Sequence, residues 1–407
     1  MSLMQAVKPG RLLLACCVAT LCAHLATAQG QTMRHGPKGD LATGAAFAPD
    51  GSLWVAGLNA DKRLFVQHAS GRPLGAWSEP QVLATGDDEI AADGESRPKL
   101  AFGPKGWAVI SYTMPLEKPY TGFIRMLRSA DGGKTFSPPV TVHQDRQPIT
   151  HRFESIAFDR QGVLHTLWVD KRDQPPKGSG VAYAGAAIYR NTSQDGGATF
   201  SPDTKLADHS CECCRIALAP DPAGELQAVW RHVFGEQTRD HAFAKVDSPA
   251  PNLVTRASYD EWQIKACPHH GPGLAQAQGV NDPPGYHFVW FGVRKVRGQD
   301  VAAVRYARLD AQGAPIAKTV RALPDDKAEH ADVMADGPRV AIVWRSTEGS
   351  KTALKAWLSK DNGQHFSLTT LAQTDGINDH PRLAQQGPRM VVVWRLPQEI
   401  QVHELDF

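Results

Sequence analysis

The sequence predicts an all-β chain folded as a single β-propeller, and three observations carry that prediction. A figure of two short β-rich runs around a turn returns seven times, at a spacing of 50 to 60 residues. A Ser-x-Asp-x-Gly turn recurs in register with it, and no stretch keeps a 3.6-residue apolar period long enough for a substantial helix.

The seven copies are "GAAFAPDGSLWVAG", "PKLAFGPKGWAVISY", "ESIAFDRQGVLHTLWVD", "CRIALAPDPAGELQAVWR", "GPGLAQ…YHFVWFG", "ADVMADGPRVAIVWR" and "PRLAQQGPRMVVVWR". Their first apolar residues, the reference positions, are Ala45, Leu100, Ile156, Ile216, Leu274, Val333 and Leu383. A unit of that length holds four short strands and three turns, the content of a propeller blade. Seven copies predict seven blades, with a six-bladed arrangement as the alternative. The last copy has chain for about three strands, so an outer strand from residues 30 to 40 is expected to complete it. Inside each copy the turn "APDG", "GPKG" or "DRQG" supplies the Gly or Pro that closes a hairpin.

The second turn reads Ser129-Ala-Asp131-Gly-Gly133-Lys-Thr135-Phe136, then Ser193-Gln-Asp195-Gly-Gly197-Ala-Thr199-Phe200, then Ser359-Lys-Asp361-Asn-Gly363-Gln-His365-Phe366. Its Ser and Asp side chains can accept turn amides, its Gly a positive φ, and its aromatic residue a place between sheets. On these residues the chain resembles the sialidase-like, Asp-box β-propeller superfamily, across nearly all of residues 41 to 407. The resemblance implies that the Asp-boxes lie opposite the active-site face and are structural. It also implies sialidase chemistry, in which three arginines hold a substrate carboxylate, a Glu activates a Tyr nucleophile and an Asp serves as acid/base. The sequence departs from that pattern: "DLATGAAF" has no Arg where the family's first arginine belongs, and no Tyr near the chain end takes the nucleophile's place. Echoes of the arginine motif occur in "SRPKLAF" and "HRFESIAF" instead. The candidate catalytic set for a sialidase-type glycoside hydrolase is therefore Arg97, Arg152, Arg345, Arg395 and Asp170.

Residues 1 to 28 place Lys8 and Arg11 before an apolar run and end in Ala26-Thr27-Ala28, which predicts a signal peptide cleaved after Ala28. The expected mature domain is 29 to 407, periplasmic or secreted, and the run is too short to span a membrane. Of 44 Lys and Arg, removal of Lys8 and Arg11 leaves 42, against 42 Asp and Glu. That neutral, scattered charge offers no basic face, so nucleic acid is not an expected partner. A monomer with a small-molecule, glycan or metal ligand is expected, and a protein-interaction propeller without chemistry is a third class.

Innermost propeller strands begin on the site face, so residues just before each reference position should ring the channel mouth. Three residues back lie Ala42, Arg97, Phe153, Cys213, Gly271, His330 and His380. The ends of the second strands add Arg231, and Arg215, Arg231, His330 and His380 are the candidate ligand-binding residues. Cys16, Cys17 and Cys22 leave with the signal, while Cys211, Cys213, Cys214 and Cys267 remain. In an oxidising compartment such thiols are paired, liganded or reactive. One reading is two disulfides, with Cys213 or Cys214 joined to Cys267 across neighbouring blades. The other is a soft-metal site for Cu(I) or Zn(II), with His269 and His270 beside the four sulfurs. The spacing is not that of structural zinc motifs. A Cys-x-Cys-Cys with a later Cys-Pro also resembles a subset of exported bacterial propellers in the same superfamily.

Overall fold

In the computed structural model, which describes residues 41–407 apart from 177, 184, 265–267 and 279–282, seven antiparallel sheets follow one another along the chain. The innermost strands are Gly44–Phe47, Lys99–Phe102, His151–Phe158, Ala217–Pro220, Gly273–Ala277, Ala328–Asp336 and Arg382–Gln386. Each packs against the innermost strands of its neighbours, and the first meets the last, so the sheets form the blades of a closed ring. The molecule is a seven-bladed propeller rather than the six-bladed alternative. Among the described residues six blades have four strands and the seventh has three, ending with Glu399–Glu404. The signal peptide at 1 to 28 and the closing strand sought at 30 to 40 lie outside the described residues.

Burial explains why the strands form where they do. The second strands Leu53–Leu58 and Leu226–Arg231 are buried along their whole length, because neighbouring blades cover both faces of each sheet. Alternation therefore gives way to continuous apolar runs, such as "VAIVW" in the second strand of blade 6. A bulky aromatic residue recurs at one register position. In blades 2, 3, 5, 6 and 7 the reference residue faces a partner two positions before Tyr112, Trp168, Trp290, Trp344 and Trp394. All five are buried, and Trp344 donates its Nε1–H to Asp325 Oδ2 at 2.8 Å.

Blade 4 corrects the sequence alignment. The residue facing Ala228, two before Trp230, is Leu218 and not Ile216. Counting three back from Leu218 reaches Arg215, so Arg215 and not Cys213 is the equivalent of Arg97, His330 and His380. The cysteines occupy the connector that precedes the ladder.

The three Ser-x-Asp turns share one set of bonds. Ser129 Oγ accepts the Gly133 amide at 2.8 Å and Asp131 Oδ1 the Thr135 amide at 2.9 Å, with the same pair of bonds at Ser193/Asp195 and Ser359/Asp361. Gly133 sits at φ +91, and a Cβ there would lie 2.8 Å from the Trp54 ring, so conformation and space both require glycine. The aromatic residue of the third turn, Phe366, stacks on Trp357 at 4.1 Å and meets Tyr306 of blade 5 edge-on at 5.2 Å. Trp344→Ala, which opens a cavity between blades and removes one of the donors to Asp325 while Lys355 remains, is expected to cost about 3–5 kcal/mol in urea unfolding, with Trp344→Phe costing less.

Candidate functional site

The loop that leads into blade 2 crosses to the opposite blades. Asp93 Oδ1 accepts the amides of Glu95 and Ser96 at 2.9 and 2.7 Å, a turn that directs Glu95 inward. Glu95, 2% exposed, takes the Arg215 guanidinium on Oε1 at 2.7 Å and the amides of Arg215 and Gly271 on Oε2 at 3.1 and 2.9 Å. The rest of the Arg215 fork donates to Pro272 O at 3.1 Å and Ala331 O at 2.8 Å. One buried ion pair thus joins blades 2, 4, 5 and 6. Burial alone would raise the Glu95 carboxyl, but the charge of Arg215 and the proximity of His330 outweigh it and hold it well below the ordinary carboxylate range.

Beside this pair stand three stacked imidazoles. His270 and His330 lie 4.1 Å apart at 7°, His330 and His380 3.5 Å apart at 15°, and Phe291 caps His270 at 4.4 Å. Burial keeps the stack uncharged: His330 is brought down to about 3, and His270 and His380 lie well below the ordinary imidazole value. His330 reaches this position from a β-bulge, where His330 and Ala331 both face Trp344 and His330 adopts φ +52. Phe153 occupies the same bulge in blade 3 at φ +55. A Cβ on Gly94 would lie 1.8 Å from His380 Nδ1, and one on Gly271 would lie 2.5 Å from Glu95. Gly94 and Gly271 thus leave no room for a side chain against His380, Glu95 and Arg215.

The candidate catalytic residues are distributed around that plug. Arg97 donates to Gly94 O; Arg345 pairs with Glu329 at 3.3 Å; Arg395 donates to Leu41 O at 3.0 Å and Leu58 O at 2.6 Å. The carboxylate whose charge acts on all three is the chain's own Asp379, which is buried and accepts the Thr43 amide at 2.7 Å. Arg152 and Asp170 belong to blade 3: Arg152 lies over the Phe153 ring, and Asp170 takes Trp168 Nε1 at 2.8 Å and Arg172 at 2.7 Å.

The structure brings three of the four cysteines together one layer away from the axis. Cys211 Sγ and Cys213 Sγ are 3.6 Å apart, Cys213 Sγ and Cys214 Sγ 3.8 Å, and all three sulfurs lie within 4.8 Å of one another. These separations exceed a disulfide bond of about 2.05 Å, so the three are not bonded to each other. They are 1%, 2% and 3% exposed, in an apolar layer with Phe153, Ile188, Ile216 and Trp230. Cys267 lies outside the described residues. His270 joins the imidazole stack, while His269 is half-buried with a left-handed backbone at φ +51. Thiol hydrogen bonds from Cys213 and Cys214, and behind them the charges of Arg239 and Arg231, hold Cys211 well below the ordinary thiol range. Burial, then the bond to Cys211, pushes Cys214 up to about 12. The cluster therefore favours one thiolate next to a retained thiol proton.

A second group of metal-ligand type, Glu95, His330 and His380, also lies within 4.8 Å. Both Glu95 oxygens are already committed to Arg215 and backbone amides, so this group serves as a keystone of the ring. Sequence reasoning left Glu95 and Arg239 out of the candidate set. Aligning the copies on Tyr112 and the tryptophans would have put Arg215 on the axis and Glu95 within its reach.

No family model and no curated protein matches this chain. Among solved structures it is similar to an ulvan lyase of polysaccharide lyase family 25, with 12% identity over 91% of this chain and 94% of that chain, at a TM-score of 0.57. It is also similar to the GH93 α-L-arabinofuranosidase of Fusarium graminearum in complex with arabinobiose, with 13% identity over 81% and 92% of the two chains, at a TM-score of 0.51. The likeness is one of fold. These neighbours are glycan-active β-propellers, and at such identities the shared property is the architecture.

Two predictions follow from the axis. Glu95→Ala leaves Arg215 buried without its counter-charge and is expected to cost about 3–5 kcal/mol in chemical denaturation, more than Glu95→Gln. The pH dependence has a defined sign, because the stacked histidines stay neutral when folded and take up protons when unfolded. Stability is fully present above the unfolded imidazole value of 6.5 and is lost as pH falls toward about 3 at His330. His330→Phe should flatten that limb. Glu95→Gln should leave it and remove the further loss that sets in as pH falls from 4.5 through the depressed Glu95 value.

Proposed function

We propose that this propeller is an exported protein that binds a soft metal ion, Cu(I) or Zn(II), through Cys211, Cys213 and Cys214. The observation that carries the reading is the spacing of the three buried sulfurs, 3.6 and 3.8 Å between successive pairs. Metal–sulfur bonds of about 2.3 Å place thiolates on one ion about 3.8–4.0 Å apart, so the sulfurs need little movement to share an ion. Thiolate donors in an apolar shell suit soft ions. Export rests on residues 1 to 28 of the sequence, and among the described residues no helix is long and apolar enough to cross a membrane.

A sialidase-type or other glycan-cleaving activity draws support from fold likeness. It draws less from the side chains, because Arg97, Arg345 and Arg395 are buried and tied to partners of the chain itself. Metal binding is therefore the better-supported function.

The deciding experiment is elemental analysis of reduced protein after exposure to Cu(I) or Zn(II) and removal of unbound ion. One ion per chain is expected for the wild type, with loss of at least about 90% of it in Cys211→Ser and Cys214→Ser, since losing one of three ligands opens the site. Folded protein that retains neither ion would sink the proposal. Hydrolysis of a fluorogenic sialoside, abolished by Arg97→Ala, would favour the glycosidase instead.

A further inference from the structure

We propose that a cleft on the face opposite the stacked imidazoles binds an anionic sugar unit, carboxylated or sulfated, independently of the metal-binding reading. In an antiparallel blade the turn from first to second strand and the turn from third to fourth lie at one end, and the innermost strand begins at the other. Arg339 opens the second strand of blade 6, and Pro388 directly precedes that of blade 7. Lys360 lies in the third Ser-x-Asp turn, and Arg72 in the connection from third to fourth strand of blade 1. All four line one cleft of about 360 Å³, within the roughly 300–1,000 Å³ usual for small-molecule sites. The cysteines, which precede the innermost strand of blade 4, are at the other end of the blades.

The lining sorts into donors without partners and the groups that hold them in place. Glu404 accepts Arg389 Nη2 on Oε1 at 2.5 Å and Arg72 Nε on Oε2 at 3.2 Å. Arg389 is itself fixed, since it donates from Nη1 to Gly71 O at 3.0 Å and lies over the Phe47 ring. Arg72 is thereby held through Nε alone, and its two Nη groups, like Lys360 Nζ, have no partner among the described residues. A free guanidinium edge and a free ammonium on one cleft match the paired oxygens of a carboxylate or sulfate. Leu405, Met390 and Phe407 supply an apolar wall, with Arg339, itself paired to Asp336, 5.5 Å over the Phe407 ring. The remaining carboxylate of the lining, Asp406, is exposed and has no partner among the described residues, so it is free to accept hydroxyls. An anionic sugar offers all three complements: a charged group, an apolar ring face and hydroxyls. An inorganic anion or a plain aromatic acid offers Asp406 no hydroxyl.

The test is a ligand-observed NMR titration of the full-length protein at low salt with galacturonate, a sulfated galactose, neutral galactose, benzoate and inorganic sulfate. Saturable binding of the two anionic sugars is expected, each weakened about fivefold or more by Arg72→Gln and by Lys360→Gln, a charge-assisted bond discounted for exposure. Both side chains are exposed, so neither variant should shift the melting temperature. Neutral galactose bound as tightly as galacturonate would overturn the role of the charge. Benzoate or inorganic sulfate bound as tightly would overturn the sugar. Failure of both anionic sugars to bind, or binding that neither substitution weakens, would overturn the site, and none of these outcomes bears on metal uptake by the cysteines.

Discussion

The Glu95–Arg215 ion pair is the constraint on which the rest of the channel depends. Burying two charges is expensive, and the cost is met only when every lone pair and N–H nearby is used. Here Glu95 receives a guanidinium and two amides, and Arg215 gives its remaining donors to carbonyls of blades 5 and 6. A chain that merely closed into a ring would leave a central channel. This one spans it with a loop from blade 2 and seals it with stacked imidazoles. The groups brought together at the centre are satisfied by one another.

The same ion pair fixes the cysteine segment. Arg215 follows Cys214 directly, so the ion pair anchors one end of the cysteine segment, while the Cys211 amide bonded to Arg231 O anchors the other. Between two fixed ends a short segment has few conformations, and its three sulfurs converge without being bonded to one another. The electrostatics are prepared as well: Cys211 is held toward thiolate, whereas Cys214 keeps its proton. Occupancy by a metal would have to expel that proton, which couples affinity to pH. For the proposed metal binding, part of the ordering cost would be carried by the fold.

The blade count and strand order were legible in the sequence because they rest on local signals. Each hairpin turn announces itself through Gly and Pro, and each buried second strand through a continuous apolar run. The register of blade 4 was not legible from its first apolar residue. Ile216 is buried and apolar like Leu100 or Leu383, yet the ladder starts one residue later, at Ala217, because the segment before it is tied to the axis by Arg215. Hydrophobicity reports burial, and burial extends beyond the strand. The tryptophans were the better reference, since only the ladder fixes what lies two residues from their partners. The candidate arginines illustrate the other limit. Their residue type and position predicted a common ligand, but whether a guanidinium meets a substrate or a carbonyl of its own chain depends on contacts such as Arg395 to Leu58, 337 residues apart in sequence.

The equivalent positions three residues before the reference residues are Arg97, Phe153, Arg215, Gly271, His330 and His380, one from each of blades 2 to 7. Glycan-active propellers of the same architecture show that a ring of blades can house a saccharide site, but architecture does not choose the side chains. In this chain Arg215, Gly271, His330 and His380 form one interlocked layer with Glu95, in which Gly271 is glycine because Arg215 and Glu95 occupy the space of its Cβ, and Gly94 is glycine because His380 does. A substrate at the axis would have to displace this layer. The connector before blade 4 carries its cysteines in an apolar layer with Phe153, Ile188, Ile216 and Trp230. The division of labour is physical: polar groups that can satisfy one another close the axis, and soft donors that cannot are left one layer out.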